Sequence, residues 1–133
     1  MSTTKACPCG SSKAYDVCCR PFHRGAATPA TAEELMRSRY SAFVVGGPDS
    51  ATYLLATWHP ATRPESLDFD DALRWTGLEV LATEAGGPTD RRGVVEFRAH
   101  YLRDGVPGNL HETSRFRRDN EGWQYVRGRA VWS

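Results

Sequence analysis

The chain has 133 residues, a formal net charge of +1, and shares of 40% hydrophobic and 25% charged residues, the proportions of an ordinary globular protein. That length holds one modest domain plus a small appendage. A near-neutral balance supplies no global attraction for nucleic acid or an anionic membrane, so neither is expected as a partner. Apolar runs such as Ala42-Phe43-Val44-Val45 fall far short of a bilayer span. The opening from Met1 to Lys5 is polar and lacks the apolar centre of a signal peptide. The expected location is therefore the reducing cytoplasm, where clustered cysteines more often hold metal than form disulfides.

All 4 cysteines stand near the front: Cys7 and Cys9 frame Pro8, and Cys18 and Cys19 are adjacent. Zinc takes four such ligands in a tetrahedron, with sulfur about 2.3 Å from the metal. Gly10 and Ser11 suit a tight turn after the first pair. The stretch Lys13-Ala14-Tyr15-Asp16-Val17 has room for a turn or two of helix leading to the second pair. Two disulfides or four free thiols are the competing readings. His23 is a weaker substitute ligand, because four sulfurs already complete the shell. Such a shell leaves no open position for water, so the expected Zn2+ is structural. A segment with almost no core draws most of its folding energy from that metal.

The run from Cys7 through Cys9-Gly10-Ser11-Ser12-Lys13 to Cys18-Cys19 resembles the SEC-C motif, a zinc-binding tail known from the preprotein translocase ATPase. The resemblance implies that Cys7, Cys9, Cys18 and Cys19 hold the metal and that the knuckle docks on a protein partner. The family commonly has Gly at the place of Ser12, and Lys or Pro at the place of Ala14.

Residues 1–24 thus read as a zinc knuckle and 25–30, small and flexible, as a linker. Residues 31–133 read as an α+β domain. Thr31 and Glu34 form a capping box for a helix running to about Val45, before Gly46-Gly47. Met36, Tyr40, Phe43 and Val44 share one face, flanked by Arg37 and Arg39. A second helix is expected from Ser50 to Thr57, broken by Trp58-His59-Pro60. Asp68 and Asp71 ahead of Ala72-Leu73-Arg74-Trp75, with Gly77 beyond, signal a third.

After Gly77 the period becomes two. Leu78 to Thr83, Arg92 to Leu102, Leu110 to Arg118 and Trp123 to Val131 read as strands separated by turns. Val95, Phe97, Ala99 and Tyr101 share the core side. The expected architecture is three N-terminal helices packed on a curved four-stranded antiparallel sheet.

Leu35-Met36-Arg37-Ser38-Arg39-Tyr40-Ser41-Ala42-Phe43, Trp58-His59-Pro60 and Leu110-His111-Glu112-Thr113-Ser114-Arg115-Phe116 resemble the YchJ family. That resemblance implies a SEC-C knuckle ahead of a cone-shaped domain of the nuclear-transport-factor-two-like (NTF2-like) superfamily. The superfamily hosts both enzymes and binding modules, so the fold does not choose a function.

Strand parity puts Glu112 on the core side with Leu110, Ser114 and Phe116. A carboxylate there needs a partner, and Arg39 or Arg37 is the expected one, with Tyr40 and His59 nearby. Such a pair either orients the helix on the sheet or leaves Glu112 and His59 as an acid–base set. His100 and His111 are expected on the outer face of the sheet, and Arg115, Arg117 and Arg118 on its wet side. Two functions follow. One is an adaptor whose knuckle docks on a protein while the cone holds a peptide or small ligand. The other is a small cone-fold lyase, isomerase or hydrolase built on Glu112 and His59. A closed interior filled by Phe97, Tyr101, Phe116 and Trp123 favours the first, and an open cavity reached by both Glu112 and His59 favours the second.

Overall fold

The computed structural model describes residues 6–133; the polar opening from Met1 to Lys5 lies outside them. Strands β1 (Leu73–Ala85), β2 (Arg92–Arg103), β3 (Val106–Asp119) and β4 (Gly122–Trp132) form one open antiparallel sheet in chain order. Their length follows from sustained alternation: Val95, Phe97, Ala99 and Tyr101 are buried on β2 while their neighbours are not. Register shifts interrupt β1 near Thr76 and Leu81 and β4 near Val126, and such bulges increase the local twist and bend of a sheet.

Three helices precede the sheet: α1 (Arg20–His23), α2 (Ala32–Val45) and α3 (Gly47–Ala56). Helix α2 begins as expected. Thr31 Oγ1 accepts from the Glu34 amide at 3.1 Å, and Glu34 Oε2 accepts from the Ala30 amide at 2.8 Å. One orphan donor of the first turn, the Glu34 amide, and the Ala30 amide just ahead of the helix are thereby satisfied. The Trp123 indole donates to the Ala30 carbonyl at 3.1 Å and pins this entrance to β4. Leu35, Met36 and Tyr40 then pack with Val95, Phe97, Leu110, Phe116 and Trp123 to form the main core.

The opposite flank of α2 is buried as well. Ser38, Ser41 and Ala42 are fully covered, and their small side chains let α1, α3 and the cysteine segment approach closely. Ala42, Tyr53 and Leu54 form a second core with Phe22, Phe43, Leu67 and Phe69 around it. Helix α3 starts three residues earlier than expected, at Gly47 with Pro48 in its first turn, a position proline favours.

The expected helix at Asp68–Trp75 does not form. Asp70 accepts from the Ala72 amide through Oδ1 at 3.0 Å and from the Leu73 amide through its carbonyl at 3.0 Å. The aspartates therefore shape a turn that launches β1, a role Asp fills as readily as capping. Leu73, Arg74 and Trp75 pair with Arg103, Leu102 and Tyr101, and the non-local ladder overrides local helix preference. Among the described residues no helix is long and apolar enough to cross a membrane.

Candidate metal centre and cavity

Two tight turns bring the cysteines together. Cys7 donates its amide to the Lys13 carbonyl at 2.8 Å, and Gly10 donates to the Cys7 carbonyl at 3.2 Å. Gly10 turns with φ +80°, a conformation glycine adopts without strain. A 3-10 turn at Tyr15–Val17 then delivers Cys18 and Cys19. The four ligand sulfurs all lie within 4.8 Å of one another, with Cys9 and Cys18 3.6 Å apart. A zinc tetrahedron with bonds of about 2.3 Å needs edges of roughly 3.8 Å, so the donor set is compatible with that ion. Zinc there would complete a structural centre of four sulfurs, with no protein-free position.

The surroundings favour thiolate at Cys9 and disfavour it at Cys18 and Cys19. Ser11 Oγ lies 3.1 Å from Cys18 Sγ. A hydrogen bond from Cys19 holds Cys9 well below the ordinary thiol range, while the same bond and burial push Cys19 up. Burial raises Cys18 too.

The cluster is fastened to α2 by three contacts. Arg37 Nη1 donates to the Cys9 carbonyl at 2.6 Å, and Cys7 Sγ lies 3.6 Å from Ser41 Oγ. His23 is turned away from the sulfurs: Nε2 donates to the Ser38 carbonyl at 2.7 Å, which leaves Nδ1 to accept from Tyr15 Oη at 2.7 Å. Burial lowers the pKa of this ring below the ordinary histidine value, consistent with a neutral side chain bonded at both nitrogens.

Between α2 and the inner face of the sheet lies a cavity of about 970 Å3. Arg39, Tyr40, Trp58, Glu112, Ser114 and Tyr125 contribute to its lining, together with aromatic walls from Phe97, Phe116 and Trp75. Asp68, Asp71 and Arg74 are exposed and line its rim. The interior is thus neither closed nor equipped as the enzyme reading required. Phe97 and Phe116 line a space rather than fill it, and Tyr101 and Trp123 do not line it. Glu112 reaches the cavity; His59 does not. The His59 amide donates to the Tyr125 carbonyl at 2.8 Å, and its Nδ1 accepts from the Ala61 amide at 3.1 Å.

The expected ion pair between Glu112 and Arg39 or Arg37 is absent. Arg37 goes to Glu33 at 3.0 Å and to the cysteine segment. Arg39 is only 6% exposed and lies between two rings, 4.9 Å from the Trp58 centroid and 4.8 Å from that of Tyr125. Its Nη1 donates to the Leu54 carbonyl and to Thr57 Oγ1, each at 2.7 Å. Carbonyl dipoles and ring faces solvate this cation, so it holds its place without a carboxylate. Burial pulls it down to about 10, still cationic at neutral pH.

Glu112 Oε2 accepts from Ser114 Oγ and from Tyr125 Oη, the latter at 3.4 Å. Burial, and then the Glu112 charge, raise the Tyr125 phenol. Gly128 makes room for this carboxylate: a Cβ there would stand 2.6 Å from Glu112 Cδ. Sequence reasoning missed Gly128 as the residue that makes room for Glu112. The available signal was a glycine inside a strand, which marks a close approach.

Outside the cavity, His100 pairs with Glu79 at 2.5 Å and His111 with Glu96 at 2.6 Å on the outer face, as expected. Arg115 and Arg117 are exposed there. Arg118 departs from them: it donates to the Asp90 carbonyl at 2.7 Å and sits 6.0 Å from the Trp123 ring.

Residues 31–128 match the family described as YchJ, middle NTF2-like domain. The chain belongs to the YchJ family. It is 53% identical over 125 residues to a UPF0225 protein of Streptomyces coelicolor, covering 94% of this chain and 95% of that one. It is 48% identical over 126 residues to a UPF0225 protein of Chromobacterium violaceum, covering 92% and 91%. A SEC-C motif containing protein from Rhodopseudomonas palustris, solved in solution, superposes with TM-score 0.80 at 34% identity, covering 96% of this chain and 99% of that one. The crystal structure of a SEC-C motif containing protein from Psychrobacter arcticus gives 0.74 at 30% identity, covering 92% and 81%. The fold and the family implied by the residues themselves are therefore both met.

Proposed function

We propose that this chain is a small-ligand-binding protein whose four N-terminal cysteines hold one structural zinc. Its units are a knuckle (1–24), a connection (25–30) and an NTF2-like cone (31–133). The supporting observation is the cavity: an open, aromatic-walled space of about 970 Å3 with a buried cation and a carboxylate among its lining groups, Arg39 and Glu112. Binding sites combine apolar walls with a few fixed polar groups in this way. Binding without chemistry is the better reading, since the histidine meant to act with Glu112 lies elsewhere. A tetrathiolate centre persists in a reducing compartment, which supports a cytoplasmic location.

The test is ligand-observed NMR with a fragment set on zinc-loaded protein, compared with Val44→Trp, which narrows the cavity. Fragments that bind the parent and not the variant support the reading. Equal binding by both, or none by either, overturns it.

A second reading keeps the knuckle as a docking element for a protein. Val17, 71% exposed on the 3-10 turn between the two cysteine pairs, supports it as an apolar contact point. Under this reading Val17→Asp abolishes capture of a partner while zinc content stays unchanged; capture at parental levels rejects it.

A further inference from the structure

Besides the exposed charges of its rim, the cavity carries two opposite charges, Arg39 and Glu112, that are not paired with each other. Arg39 spends Nη1 on Leu54 and Thr57, and its other N–H groups have no partner among the described residues. The Trp58 indole nitrogen is buried, has no hydrogen-bond partner, and belongs to a residue of the same lining. These donors call for an acceptor, and the guanidinium calls for an anionic one. Glu112 presents the converse. Both of its hydroxyl donors engage Oε2, while Oε1 has none among the described residues. The Tyr125 ring separates the two charges: Arg39 lies over its face and Glu112 meets its hydroxyl.

We propose that the cavity takes a free amino acid with a large apolar side chain, its carboxylate toward Arg39 and Trp58 and its ammonium toward Glu112. This rests on the ligand-binding reading above and gives it a ligand class. A simple carboxylate would meet Arg39 but bring a second negative charge near Glu112, which would stay without a cationic partner. A simple amine would meet Glu112 and leave Arg39 without an anionic partner in the same way. A zwitterion satisfies both groups, whereas each singly charged ligand leaves one of them without a partner of opposite charge. The walls decide the rest of the ligand. Tyr40, Trp75, Phe97 and Phe116 surround the remaining space and match an aromatic or branched side chain rather than a polar one.

Calorimetric titration of the zinc-loaded full chain with four probes tests this: L-tryptophan, indole-3-propionate, tryptamine and indole. Tryptophan is expected to bind at least tenfold more tightly than either singly charged probe. Glu112→Gln removes its advantage over indole-3-propionate. Gly128→Ala does the same by displacing the carboxylate, and unchanged zinc content and circular dichroism confirm that each variant is folded. If indole binds as well as tryptophan, the zwitterion is wrong and the binding cavity stands. If no probe binds, the amino-acid class is overturned, and the Val44→Trp comparison judges the cavity separately.

Discussion

His23 joins the cysteine segment to α2 by donating from Nε2 to the Ser38 carbonyl at 2.7 Å. The bond is not isolated, because the same ring accepts from Tyr15 and packs 4.9 Å from the Tyr53 ring centroid. His23→Ala leaves a carbonyl and a phenol without their partner and opens a gap. The expected cost is about 1–3 kcal/mol, measured as a lower urea midpoint with unchanged slope. Phe at this position restores the packing and not the bonds, so it recovers only part of the loss.

The metal prediction follows from the sulfur geometry. Purified protein carries about one zinc per chain, and Cys18→Ser with Cys19→Ser abolishes it. Elemental analysis checks both statements, and full occupancy in that variant refutes the assignment. Chelation lowers the melting temperature of the whole domain, since binding energy is folding energy for such a segment and the segment is fastened to α2.

Gly128 and Glu112 are energetically coupled. Gly128→Ala drives a methyl group toward the carboxylate and costs about 1–3 kcal/mol, the usual penalty for overpacking. Glu112→Ala removes the obstacle. Denaturation of the two single variants and the double variant is expected to show the alanine at 128 costing much less once Glu112 is gone. Strict additivity would mean that the carboxylate does not occupy the space beside Gly128.

Alkaline pH destabilises the fold through its buried phenols. Burial pushes Tyr40 and Tyr53 up to about 12 from an ordinary 10. The folded state thus keeps protons that the unfolded chain releases. Their contribution is complete below pH 10 and is lost as pH rises through 12. Denaturant midpoints are expected to fall across that window, and Tyr53→Phe flattens the fall.

Local signals were the legible ones. Thr31 and Glu34 mark the start of α2 because capping is settled within four residues. The alternation from Val95 to Tyr101 marks β2 because the pleat has a period of two. The four cysteines could be grouped because close sequence spacing already confines them in space. Asp68 and Asp71 misled because the same side chain serves a helix cap and a turn, and only pairing with Arg103 and Leu102 decides between them. The surroundings of Arg39 were beyond local reading. Trp58 and Tyr125 lie far apart in sequence and meet through a bridge between chain segments. Ser38, Ser41 and Ala42 lie off the apolar face and are covered by the cysteine segment and α3.

Across β3 and β4, Arg115 stands directly opposite Arg127, and between β2 and β3 Arg92 faces Arg117. Like charges in such positions push adjacent strands apart, and mobile counterions weaken the repulsion within a Debye length of about 8 Å at physiological ionic strength. Dilute buffer is therefore the harsher medium for this meander, and added sodium chloride steadies it at these contacts before any binding partner is considered.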